Sequence, residues 1–175
     1  MDTSLHMIHE ALSWVNPRSF TWVGPDPPHH FSAAIVPAAL PHVLGALQTQ
    51  TNLTRLTLTH VKFPDNGDIL SLPRFPSLKT LNLSQVIFLH PEIIAQFVVT
   101  AGSQLEQVHL IDAYQHSIWG PRLREDDDGI VTVSASQKEA ASNELLSRIR
   151  RIVVCQGKFE RIIGGDRVMR DSILI

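Results

Sequence analysis

Cysteine and long apolar runs are scarce in this chain, and each shortage excludes a class of protein. The one cysteine, Cys155, cannot form an intrachain disulfide, which is typical of a reducing compartment. No run of about 18 apolar residues occurs, so the sequence predicts no membrane-spanning helix. Residues 1–15 lack the basic start and the continuous apolar segment of a signal peptide. We therefore expect an intracellular protein, cytoplasmic or nuclear.

Neither sign of charge is in excess. Lys and Arg number 15, and Asp and Glu number 17, which gives a formal net charge of −2. Such a chain has no field that would attract nucleic acid or an anionic membrane, so we expect neither as a partner. The apolar share of 43% and the charged share of 18% are ordinary for a folded globular protein. A length of 175 residues predicts one domain.

Sequence motifs for catalysis and metal binding are missing as well. The chain contains no H-E-x-x-H, no G-x-S-x-G and no phosphate loop ending in G-K-[ST]. His6, His9 and Glu10 lie near one face of the first predicted helix, whereas zinc needs three or four convergent ligands. We therefore expect no cofactor, no metal and no enzymatic activity. A metal-dependent hydrolase that uses histidine and aspartate residues of the loops is the catalytic alternative.

What the chain does contain is a repeat. The stretches LTRLTLTHVKF at 53–63 and LKTLNLSQVIF at 78–88 both read L-x-x-L-x-L-x-x-V-x-F. A third copy, LEQVHLIDAY, starts at Leu105, and a looser fourth, IRRIVVCQGKF, starts at Ile149. Apolar and polar residues alternate at the centre of each copy, which predicts a strand with one buried and one wet face.

The distance between copies decides how these strands are arranged. The central positions Leu56, Leu81 and Val108 are separated by 25 and 27 residues. That separation is too long for a hairpin, but it matches one coil of a stacked parallel array. The sequence therefore predicts an α/β solenoid with short parallel strands on its concave side and helices or irregular turns on its convex side.

Three regions follow from this interpretation. Residues 1–50 form a capping region, in which 18–24 reads as a short strand and a degenerate first repeat. Residues 51–160 form the repeat array, with a long insertion at about 114–136. Residues 161–175 form a C-terminal tail or cap, since a solenoid must cover its last coil.

Helices are predicted between the strands from apolar spacing and from proline and glycine at their ends. One covers residues 3–15, and a second starts at Pro37 and ends near Gln50. A third runs from Pro91 to Gly102, and a fourth starts at about Gln137 and leads into a strand at 151–155.

In these features the chain resembles leucine-rich repeat proteins, whose signature is L-x-x-L-x-L-x-x-(N/C)-x-L. The first two copies match it best, although the usual Asn or Cys is replaced by Val61, Val86, Ala113 and Gly157. The wording FPSLKTLNLS is similar to the repeat arrays of F-box substrate receptors, particularly fungal ones, but no F-box helix set is present. The resemblance implies a protein-interaction module, with ubiquitin ligase components as partners in a longer relative. A truncated structural relative without independent activity is the other alternative.

The candidate binding residues are the polar alternates of the strands and three residues of the insertion. Neutral hydrogen-bonding groups dominate on the strands, which favours a protein or peptide ligand over a phosphate backbone. The insertion offers residue types that are enriched at interface hot spots, although Tyr114 and Trp119 are equally interpreted as packing the insertion onto the array. The fourth strand is predicted to add Arg151, Val153 and Cys155. The other residues predicted to contact a partner are Arg55, Thr57, Thr59, Thr80, Asn82, Ser84, Gln107, His109, Ile111, Tyr114, Trp119 and Arg122.

Overall fold

A computed structural model describes residues 3–24, 39–64, 71–116, 120–124, 139–161 and 167–169 of the chain. Its main feature is a five-stranded parallel sheet in which the strand order follows the chain order. The strands are β1 (Ser19–Val23), β2 (Arg55–Thr59), β3 (Thr80–Ser84), β4 (Gln107–Ile111) and β5 (Val153–Gln156). The helices are α1 (Thr3–Ser13), α2 (Ala39–Leu47), α3 (Pro91–Ala101) and α4 (Glu139–Ile152), with a short 3-10 turn at Gly102–Gln104. Within this part of the chain, no helix has the length and apolar character needed to cross a membrane.

The predicted register of the repeats is confirmed. Leu56 lies opposite Leu81, and Leu81 lies opposite Val108, in neighbouring parallel strands. The short strand predicted at 18–24 joins the same sheet, with Phe20 opposite Leu56. Strands β1 to β4 therefore align equivalent positions of successive copies, as the spacing of the leucines predicts.

Alternation along each strand creates a buried and an open side of the sheet. Leu56, Leu58, Leu81 and Leu83 all lie in the core. Helices α2, α3 and α4 contribute side chains to that same core, so the helices cover the leucine side of the sheet. None of the described side chains on the opposite side is buried. A Leu that leaves water contributes roughly 1.5–3 kcal/mol, and this gain fixes which face turns inward.

The residue that follows each of β2, β3 and β4 adopts a left-handed backbone conformation. His60, Gln85 and Asp112 have φ values of 56°, 52° and 50°, which is uncommon for residues other than glycine. The next residue in each copy is buried, so this conformation turns the chain from the strand back into the core. Each of these residues donates its N–H to the carbonyl that ends the neighbouring strand. The bonds are His60 N to Ser84 O at 3.1 Å, Gln85 N to Ile111 O at 2.7 Å and Asp112 N to Gln156 O at 2.9 Å.

A second recurring contact lies at the start of the strands. The carbonyl just before one strand accepts two N–H groups from the next copy. These pairs are Thr54 N and Arg55 N on Arg18 O, Lys79 N and Thr80 N on Thr54 O, and Glu106 N and Gln107 N on Lys79 O, all between 2.8 and 3.1 Å. Successive copies are thus joined at both ends of each strand as well as along it.

The fourth copy departs from the prediction by one residue. Helix α4 runs to Ile152 and β5 begins at the next residue, so no loop separates them. Val153 lies opposite Val108, which turns Val153 and Cys155 to the core side and not to the open side as predicted. Arg151 belongs to the helix, so its prediction as a strand residue was also wrong. The apolar run at 152–155 lacks the polar alternates that fix the phase of a strand.

The second copy also differs from the first at its last position. Phe63 is fully buried, whereas Phe88 is half-buried and Leu89 takes the core position instead. Phe88 has a φ of 58°, and this left-handed conformation moves the inward-facing position from Phe88 to Leu89. The ammonium of Lys62 lies 4.7 Å from the centre of the half-buried Phe88 ring.

The first three predicted helices agree with the structure where it describes them, whereas α4 continues past its predicted end to Ile152. In α1, Ile8 and Leu12 pack against the core, while Val15 lies beyond the helix and is exposed. Helix α3 ends where Gly102 was predicted to stop it, with a φ of 71° at that glycine. The predicted starts at Pro37 and Gln137 lie outside the described residues. In the C-terminal region, strands β6 (Phe159–Arg161) and β7 (Arg167–Met169) form a separate antiparallel pair.

Replacing a central leucine should destabilise the fold strongly. Leu81 is fully buried at the centre of the sheet, so Leu81→Ala should lower the free energy of unfolding by about 2–5 kcal/mol. The adjacent Thr80→Ala, on the open side, should change it by only about 0.5 kcal/mol. Urea denaturation of both variants measures the difference, and equal losses would contradict the assignment of the two faces.

Candidate partner-binding surface

The open face is the surface formed by the outward side chains of the five strands. The strand register arranges these side chains in three rows across the sheet. Strand spacing of about 4.8 Å and a rise of about 3.3 Å per residue give a surface of roughly 19 by 13 Å. The rows are Ser19, Arg55, Thr80 and Gln107; then Thr21, Thr57, Asn82, His109 and Val154; then Val23, Thr59, Ser84, Ile111 and Gln156.

The middle row contains two residues, Asn82 and His109, whose side chains form hydrogen bonds on the open face. Asn82 Nδ2 donates to Thr57 Oγ1 at 3.1 Å, which fixes the orientation of the amide. The carbonyl oxygen of Asn82 accepts no bond from the described residues, so it can accept one from a partner. On the next strand, His109 Nε2 lies 3.4 Å from Gln107 Oε1. The row therefore presents donors and acceptors whose orientation is fixed by the protein itself.

Positive charge collects at the amino ends of the strands. Arg18 and Arg55 are exposed there, and neither forms an ion pair with another described residue. Lys79 and Glu106, which precede β3 and β4, are also exposed and pair at 2.7 Å. An exposed pair of this kind stabilises by about 1 kcal/mol or less. This edge of the open face thus has an excess of cationic groups.

The opposite edge contains a buried ion pair that the sequence did not predict. Asp112 is 1% exposed, and its Oδ1 lies 2.7 Å from Arg122 Nε. Its Oδ2 accepts the backbone N–H of Lys158 at 3.1 Å, so the carboxylate joins three segments. A Cβ at Gly157 would lie 2.7 Å from Arg122 Nη1, and glycine leaves the guanidinium room to reach Asp112. The signal in the sequence is an aspartate directly after a strand, where Asp tolerates the left-handed conformation.

The insertion residues are placed differently from the strand residues. Tyr114 is 3% exposed and pairs antiparallel with Arg122, so its ring packs the insertion onto the sheet and is withdrawn from a partner. Arg122 Nε is also 3.4 Å from the Tyr114 hydroxyl, and the ion pair with Asp112 occupies its guanidinium. This burial agrees with the packing interpretation of Tyr114, and its contact with a partner stays a prediction. The predicted contact residue Trp119 lies outside the described residues.

The histidines near the N-terminus are spread over several environments. His9 Nδ1 is 3.2 Å from the backbone oxygen of His42, while His6 and Glu10 are exposed. Among the described residues, no three His, Cys, Asp or Glu side chains converge as metal ligands would. His29 and His30 lie outside that part of the chain.

Comparison of the chain with protein-family models, with curated proteins and with solved structures gives no match.

Breaking the buried ion pair should destabilise the protein. Arg122→Ala leaves the buried Asp112 carboxylate without its cation, and we expect a loss of roughly 3 kcal/mol, the low end for a buried pair because Arg122 is partly exposed. Urea denaturation measures this loss, and the exposed Arg55→Ala serves as the matched control with a change of about 0.5 kcal/mol.

A second substitution separates charge burial from lost packing. Adding Asp112→Asn to Arg122→Ala removes the uncompensated charge and keeps a residue that tolerates positive φ. The double variant should therefore be more stable than Arg122→Ala alone. If the double variant is less stable than Arg122→Ala, the stability lost in Arg122→Ala does not come from the uncompensated charge of Asp112.

Proposed function

We propose that this protein is a non-catalytic protein-interaction module of the leucine-rich repeat type, which binds a protein or peptide on its open face. The observation that supports this best is the open face itself. Three in-register rows of side chains, most of them neutral hydrogen-bonding groups, lie on a sheet whose other side is packed by helices. An array of this kind supplies a long recognition surface without any movable part.

Two observations support the solenoid part of the proposal. Each strand pairs only with the strands of the preceding and following copies, at intervals of 25 and 27 residues in the central three. In addition, His60, Gln85 and Asp112 make the same left-handed turn at the same position of successive copies. A coil that is repeated along one axis requires the same backbone turn at a nearly constant interval along the chain, and these three residues meet that requirement.

The chemistry of the open face specifies the partner further. The middle row matches the N–H and carbonyl groups of an extended segment, with Asn82 as its central contact. The cationic amino edge, at Arg18 and Arg55, favours a carboxylate at one end of that segment. We therefore propose a partner segment that is extended, polar and acidic at one end.

The wider setting follows from the resemblance of the repeats to the arrays of F-box substrate receptors. In a longer relative, ubiquitin ligase components would join the complex, and the compartment would be intracellular. Proximity labelling in the native cell tests this, with ligase scaffold components expected among the labelled proteins. If other proteins dominate the labelled set, the proposed link to a ubiquitin ligase is wrong. Binding on the open face would then be tested separately.

A bulky charge at the centre of the open face should abolish binding without unfolding the protein. Asn82→Arg removes the oriented amide and places a new cation in the middle row. The affinity for proteins that the parent chain binds in pull-downs should therefore fall at least about tenfold, which is 1.4 kcal/mol. The control Gln96→Arg adds the same charge on the exposed side of α3. Thermal unfolding should be alike in both variants. Full retention of every partner by Asn82→Arg would disprove binding on the open face.

Charge reversal at the amino edge should weaken binding in a salt-dependent way. Arg55→Glu replaces attraction of the partner carboxylate by repulsion, and the effect should shrink at high ionic strength because salt screens exposed charges. Titrations at low and high salt measure it. An effect that is the same at both salt concentrations would exclude an electrostatic role for this edge.

A further inference from the structure

Strand β1 is one edge of the sheet, and half of its backbone groups point away from it. Arg18 O accepts bonds from β2, and Gly24 N donates to Thr59 O at 2.9 Å. In a parallel ladder the direction of these groups alternates from residue to residue. The N–H and C=O of Ser19, Thr21 and Val23 therefore face outward, and no described residue bonds to them.

Exposed apolar side chains occur in α1, just after α1 and in β1 itself. Trp14 is 81% exposed, Met7 64% and Val23 63%, and these are the most exposed large apolar residues of the described chain. Along the core side, Phe20 and Trp22 are only partly buried, whereas the leucines of β2 and β3 are fully buried. The end of the core at β1 is thus less completely covered than its middle.

Among the described residues, nothing in β1 itself protects its edge against pairing. Natural edge strands carry charged residues, prolines or bulges that prevent another strand from adding. The sequence of β1, SFTWV, contains no charge and no proline, and its register with β2 is continuous. An edge of this kind can accept a further strand.

We propose that the strand that adds is β1 of a second copy of this chain, antiparallel, with a two-fold axis at Thr21. In this register Thr21 lies opposite Thr21, and Ser19 lies opposite Val23 of the second copy. Every outward N–H and C=O of the three residues then finds a partner, because residues that face outward on both strands form the hydrogen-bonded pairs.

The side chains of β1 complement themselves in that register. On the core side, Phe20 of each copy lies opposite Trp22 of the other copy. On the open side, the two Thr21 side chains lie opposite each other. Aromatic pairs and Thr–Thr pairs are among the cross-strand contacts that stabilise sheets, by about 0.2–1 kcal/mol each. Arg18 lies opposite Gly24, so the two Arg18 charges remain far apart. The dimer would join two open faces into one ten-stranded surface.

The oligomeric state of the full chain is the first test. Sedimentation equilibrium should give a dimer at micromolar concentration, and a monomer up to roughly 0.1 mM would overturn the proposal. Thr21→Lys places two ammonium groups opposite each other on the axis and should give a monomer with an unchanged circular dichroism spectrum. Ser103→Lys, with the same charge at an exposed site far along the sheet, should leave the dimer intact.

Disulfide trapping tests the register itself, with Cys155→Ala as background. Opposed residues of a hydrogen-bonded pair have Cα atoms about 5.5 Å apart, within disulfide range. Thr21→Cys should therefore crosslink to itself under mild oxidation, whereas Ser19→Cys should not. A mixture of Ser19→Cys and Val23→Cys should crosslink as a heterodimer. Self-crosslinking of Ser19→Cys as fast as that of Thr21→Cys would place the contact elsewhere and refute this pairing.

Discussion

The fold depends on one constraint, the in-register stacking of buried leucines across parallel strands. Leu56 and Leu81 lie side by side in the core, and a slip of one residue would move them to water and bring Thr57 and Asn82 inside. Burial of several leucines outweighs the cost of the uncommon backbone conformation at His60 and Gln85, which is about 1–3 kcal/mol for a strained residue. Hydrophobic register therefore sets the turns, and the turns set the direction in which the chain leaves each of these strands.

The same constraint places the stabilising side chains and the open face on opposite sides of the sheet. Side chains that hold the sheet together lie on its helix side, while Thr57, Asn82 and His109 contribute little to the core. Substitutions on the open face should thus cost little free energy of unfolding. The carboxyl edge is the exception, because the buried pair of Asp112 and Arg122 links a surface segment to the sheet.

The sequence predicted the parts of the fold in which apolar and polar residues alternate. Strands β2, β3 and β4, their parallel register and helix α3 follow from leucine spacing and from the residues at the helix ends. The phase of β5 did not follow, because Val153 and its neighbours are apolar on both sides of the strand. The buried ion pair of Asp112 did not follow either. Its partner Arg122 is ten residues further along the chain, and no sequence motif links the two residues. The aromatic character of Tyr114 suggested a contact surface, but aromatic rings serve equally well in packing.

Sequential pairing of the strands has a consequence for how such a chain can change in length. Within the sheet the strands pair in chain order, and each of β2, β3 and β4 is followed by the same left-handed turn. Duplication or loss of about 25 residues would insert or delete one strand while all remaining neighbours keep their register. The sheet can therefore grow or shrink in evolution by whole repeats, without a new topology having to be found.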